Sequence, residues 1–161
     1  MKMPVLVALV VLAAAPLYAR LGETEPQLIQ RYGKPVMRSD ESTIEQGKIY
    51  KVADRLHFRV DDWTLIAVVI SGRCESIQYY KHGEWTEQQF RHVLEVNGGR
   101  GQWHEEKTPA PKMMREWIRL DKARAQWRLT QSMTLTSPAY DQAREALKKR
   151  AKEEASKLPK L

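Results

Sequence analysis

The sequence predicts an α+β fold: short helices packed on an antiparallel sheet, closed by a C-terminal helix. Three observations carry this. Two short segments, TEPQLIQRYG at 24–33 and TEQQFRHVLEVNG at 86–98, read as capped helices that stop at glycine. After each come apolar–polar alternation and turn residues, the mark of half-buried strands. From Ser137 onward a charged helical pattern takes over.

The first 19 residues, MKMPVLVALVVLAAAPLYA, hold one charge, Lys2, then an apolar run and a small residue at Ala19. This pattern predicts a secretory signal peptide cut before Arg20. An uncleaved anchor is the alternative, since Met3–Ala19 is uncharged, but it contains two prolines. The expectation is an exported chain, periplasmic or extracellular, with no transmembrane segment after processing. No cysteine lies near residues 15–25 that could take a lipid. Cys74 is the only cysteine, so no internal disulfide forms and the fold must rest on its core. The thiol follows a turn at the start of a strand and reads as buried and inert.

Residues 20–136 read as one α+β domain. Thr24 caps the first helix, Leu28, Ile29 and Tyr32 form its apolar stripe, and Gly33 with Pro35 ends it. The helix is too short to persist alone and must pack on something. MRSDESTIEQGK, residues 37–48, is polar and reads as a loop, and QGKIYKVAD as an edge strand. RLHFRVDD alternates, with Leu56, Phe58 and Val60 against Arg55, His57 and Arg59. WTLIAVVI, apolar on both faces, reads as a central strand, and SGR turns the chain into CESIQYYK.

Thr86 caps the second helix, Phe90, Val93 and Leu94 form its stripe, and Asn97-Gly98-Gly99 stops it. REWIRLD then reads as a strand. RAQWRLTQSMTLT reads as one long strand, with Ala125, Trp127, Leu129, Met133 and Leu135 on one face. Arg124, Gln126, Arg128, Thr130, Ser132 and Thr134 take the other. At an offset of 62, Thr24, Glu25, Gln27 and Leu28 match Thr86, Glu87, Gln89 and Phe90. Two tandem halves, 21–83 and 84–136, are one reading of this pattern. Residues 137–161 form a basic C-terminal helix, capped by Ser137 and Pro138. Its thin stripe is Ala139, Ala143, Leu147, Ala151, Ala155 and Leu158.

The formal net charge is +7, but 20 acidic residues dilute it. That dilution and the expected export argue against nucleic acid as partner. No catalytic set stands out. His57, His82, His92 and His104 occur at no metal-binding spacing, and His104 with Glu106 makes too few ligands. Asp61-Asp62 fits a turn. Gly98-Gly99-Arg100-Gly101 follows a helix, whereas a phosphate cradle opens one. Neither metal nor cofactor is expected.

The binding candidates are Arg55, Arg59, Arg124 and Arg128 on polar strand faces. Arginine suits such a face because its fork pairs with carboxylate or phosphate. Trp85 and Trp103 join them because they sit beside turns in polar company.

LGETEPQLI, then YGKP, then strands that run on into ISGRCESIQYY, resembles the SmpA/OmlA outer-membrane lipoprotein family. It also resembles the related fold of β-lactamase inhibitor protein. Gly22, Tyr32-Gly33-Lys34-Pro35 and Gly72 carry the match, over roughly residues 21–81, with an echo at 85–135. The resemblance implies a small helical element followed by an antiparallel sheet, used in tandem in the inhibitor, and an interaction module, not an enzyme. The functional expectation is therefore an exported interaction or envelope-assembly module. Its partner would be a protein or an anionic envelope component. The alternatives are a secreted inhibitor of a hydrolase and a binder of anionic polymer through a basic sheet face.

Overall fold

The computed structural model of the chain describes residues 20–45, 47–99, 101–109, 113–129 and 132–156. Residues 1–19, read from sequence as a signal peptide, lie outside the described residues, as do Thr130 and Leu158. Among the described residues the order is α1 (Glu25–Tyr32), β1 (Met37–Glu45), β2 (Lys48–Val60), β3 (Trp63–Ile70), β4 (Arg73–Lys81), α2 (Glu87–Val96), β5 (Trp103–Glu106), β6 (Met114–Arg119), β7 (Arg124–Arg128), β8 (Ser132–Thr136) and α3 (Pro138–Ser156). A helix followed by four strands thus occurs twice before α3.

The same device starts α1 and α2. The Thr24 backbone N–H donates to Gln27 Oε1 at 2.8 Å, and the Thr86 backbone N–H donates to Gln89 Oε1 at 3.0 Å. Each bond gives an acceptor to an N–H that the helix itself leaves unmet. Gly33 closes α1 at φ 79°, with its N–H on Ile29 O at 2.8 Å. A left-handed residue is what that stop requires, and glycine takes it without a Cβ clash.

The strands form one antiparallel sheet of eight in the order β1-β2-β3-β4-β8-β7-β6-β5. The two four-stranded meanders meet at their last strands, where Ile77 pairs with Leu135 and Tyr79 with Met133. Register carries one apolar row across the seam: Leu56, Ala67, Ile77, Leu135, Ala125 and Trp117. α1 and α2 cover this face. Leu28 of α1 and Val93 of α2 are fully buried on it, and Phe90 nearly so.

α3 covers part of the opposite face. Its start is pinned to an irregularity in β4, where the Ser137 N–H donates to Glu75 O at 2.8 Å and the Ser137 hydroxyl donates to the Glu75 carboxylate. Ser137 also accepts from the Tyr140 N–H at 3.3 Å, the expected cap. Tyr140 then packs with Ala53 and Val68 in a second apolar cluster. No helix among the described residues is long and apolar enough to cross a membrane.

Four expectations need correction. Residues 37–45 are strand β1, not loop. Solvent on the outer side of a sheet edge allows a polar composition, although Glu41 and Thr43 are buried. The segment read as an edge strand is the start of the long β2, one place in from the edge. RAQWRLTQSMTLT is a hairpin, not one strand. Its register pairs Ala125 with Leu135 and Trp127 with Met133, residues of equal parity. The two-residue alternation therefore runs on through the turn as if the strand were unbroken. Leu129, placed on the apolar face, sits at that turn and is 62% exposed. In α3 Ala139 is exposed, and the inward position belongs to Tyr140.

Candidate functional site

Pairing fixes what the sheet face opposite α1 and α2 presents. One row runs Arg55, Val68, Ser76, Thr136, Arg124 and Ile118. The next runs His57, Ile66, Gln78, Thr134, Gln126 and Glu116. α3 packs against β1, β2 and β4, so it seats over the first meander. Beside its first turn a groove of about 480 Å³ opens over the second meander, lined by Glu106, Glu116, Arg124, Gln126, Thr134 and Asp141 among others.

The groove has mixed charge. Gln126 donates from Nε2 to Glu116, and Arg128 Nε donates to Gln126 Oε1 at 2.9 Å. Arg124 is exposed at the end of β7, on the same face. Basic and acidic groups thus alternate beside the threonines, a pattern that suits a polar, hydrogen-bonding partner more than an apolar one.

The four arginines singled out from sequence do share this face, because the meanders join in register. They do not form one cluster. Arg55 and Arg59 lie on β2, and Arg124 and Arg128 on β7, roughly 19 Å away as four strand spacings of about 4.8 Å. Arg55 is also engaged, since it pairs with the buried carboxylate of Glu41. Glu116 and Asp141 came forward only in three dimensions, and Glu106, weighed from sequence only as a metal ligand with His104, joins them in the groove. The signal was weak: in WHEEK and REWIR, Glu106 and Glu116 fall on the face opposite the tryptophans and are registered partners, while Asp141 comes from α3.

Trp85 and Trp103 lie on the opposite, helix-covered face. Trp85 stacks on Phe90 at 5.2 Å between ring centroids and meets Trp63 edge-on at 5.0 Å. Phe90 also meets Trp117 at 6.0 Å and Trp127 at 5.4 Å. Arg115 stands over Phe90 and Trp117, at 5.1 and 5.0 Å, and binds Glu105 and Glu87. Arg119 stands 5.2 Å from the Trp103 ring and grips Asp121 through Nε and Nη2. Both tryptophans are therefore packed into the fold.

Ser39 Oγ lies 3.1 Å from His57 Nε2, a tie between β1 and β2 outside the groove. Burial, helped by Arg55, lowers the pKa of that imidazole. Cys74 is fully buried, and burial raises its thiol pKa well above the ordinary range. Among the described residues no three His, Cys, Asp or Glu side chains gather in a way that could hold a metal. No family model matches the chain, no curated protein matches it, and no solved structure matches it.

Proposed function

We propose that the chain is an exported interaction module that works by binding and not by turnover. Its contact surface is the outer sheet face that α3 leaves open, over the second meander and the adjoining ends of β2, β3 and β4. One observation carries this reading. α1 covers the inner face of the first meander and α3 covers part of its outer face, whereas the second has a polar groove where a second helix would sit. A continuous sheet holds such a surface rigidly, so binding requires little ordering of the protein. Export rests on the signal-peptide pattern of residues 1–19, and an envelope role on the resemblance of residues 21–81 to the SmpA/OmlA family.

Charge reversal tests it. Arg124→Glu with Arg128→Glu, in protein shown to be folded, is assayed for retention of a component of envelope extract at low and at moderate salt. The double variant loses retention, and salt weakens the wild type in the same way, because exposed pairs are screened within about 8–10 Å at physiological salt. Retention equal to wild type removes the open face from the account.

A further inference from the structure

One row of the open face differs in chemistry from the groove. By register Arg59 lies beside Thr64, Thr64 beside Tyr80, Tyr80 beside Ser132, and Ser132 beside Arg128. Hydroxyls fill the middle, and an arginine closes each end. Both arginines are exposed, while Thr64 and Tyr80 are half-buried and so held in place. No carboxylate interrupts the row between β2 and β7. The adjoining row supplies Gln78, Thr134 and Gln126, and Ile66 is the one aliphatic side chain in either stretch. α3 seats toward the other end of the strands, on Ala53 and Val68.

We infer that this row seats an acidic linear glycan, laid across the strands with carboxylates at Arg59 and Arg128 and sugar hydroxyls on Thr64, Tyr80 and Gln78. The inference rests on the open face being the contact surface and names the partner's chemistry. Charge complementarity sets the anion, since both ionised ends are arginines whose forks match carboxylates. The middle sets the sugar. Hydroxyl and amide groups both donate and accept, as sugar hydroxyls do. A peptide docks through apolar anchors or adds to a free sheet edge, and these rows offer one aliphatic side chain and lie inside the sheet. The arginines stand roughly 19 Å apart, so an extended polymer and not a single sugar bridges them.

The test uses the folded chain and three immobilised probes: polygalacturonate, poly-L-glutamate of matched charge, and neutral dextran. Polygalacturonate is retained best. Arg59→Gln with Arg128→Gln weakens it roughly tenfold, the scale of two lost exposed charge contacts. Tyr80→Phe with Thr64→Val weakens it at unchanged net charge. Lys149→Gln with Arg150→Gln, which removes the same charge from exposed positions of α3, leaves it unchanged. Equal retention by poly-L-glutamate, equal loss in the α3 variant, or no retention of polygalacturonate overturns the inference. If polygalacturonate fails while the Arg124/Arg128 charge reversal still abolishes retention of an envelope component, the glycan is lost and the contact surface stands.

Discussion

The Tyr140 hydroxyl donates to Glu41 Oε1 at 2.8 Å, joining α3 to the edge strand β1 across 99 positions of sequence. Both residues are buried, at 9% and 8% exposure, and Arg55 binds the same carboxylate. Burial first, and the bond to Glu41 second, push the phenol pKa up to about 12.

Tyr140→Phe leaves Glu41 with Arg55 alone. Losing a hydrogen bond to a buried charged acceptor costs about 1.5–3 kcal/mol. Tyr140 belongs to its own small cluster with Ala53 and Val68, so the loss is felt locally. Hydrogen exchange in α3 speeds up while β3 and β4 keep their protection. A uniform change along the chain would show that α3 does not open separately.

Phe90 is the hinge pin of the aromatic layer, touching Trp85, Trp117 and Trp127. Phe90→Ala costs about 3–5 kcal/mol. Trp127→Phe costs less than Phe90→Ala, because a ring remains against Phe90 and the lost Nε1 is buried without a partner, so no hydrogen bond goes with it. Urea midpoints compare the two. A Trp127→Phe loss as large as the Phe90→Ala loss would show that the indole N–H matters.

Much of this was legible in the sequence, for local reasons. The T-x-x-Q caps marked both helix starts, alternation marked the second half of β2, an apolar run marked β3 and the turn at Gly72 marked β4. What stayed hidden depended on pairing. β1 is polar because it is an edge, and its burial of Glu41 needs Tyr140 from far along the chain. The β7–β8 turn was masked because equal-parity pairing preserves alternation through a hairpin. Of the binding candidates, the four arginines do share one sheet face and Trp85 and Trp103 lie on the other, while the arginines' separation and acidic neighbours follow from strand order.

Two ion pairs set an acid limb. Arg115 holds the Glu105 pKa below the usual carboxylate range, and Arg119 does the same for Asp121. Unfolded, these carboxyls titrate near pH ~4. Below that, the unfolded chain takes up protons that the folded chain refuses. Stability is therefore full above about pH 4 and falls as pH drops through the lower folded values. Both carboxylates are substantially exposed, so the effect is modest and salt weakens it. Melting temperatures from about pH 2 to 5 read the limb. Arg119→Gln flattens it, and an unchanged limb would assign it to other carboxyls.

The seam between the meanders can be locked. Gln78 and Thr134 are registered partners on β4 and β8. Antiparallel partners have Cα atoms about 4.5–5.5 Å apart, within disulfide reach. Gln78→Cys with Thr134→Cys therefore oxidises to an intramolecular disulfide. The wild-type thiol, Cys74, stays unlabelled by thiol reagents at neutral pH until the protein unfolds, because it is buried. Failure of the pair to close would place the seam elsewhere.

The open sheet face is the central claim, and site-specific photocrosslinking in cells tests it most directly. A photoreactive residue at Gln126, which lines the groove, captures a discrete partner. The same residue at Gln88, exposed on α2 at the other side of the sheet, does not. Capture at Gln88 with none at Gln126 would contradict the account.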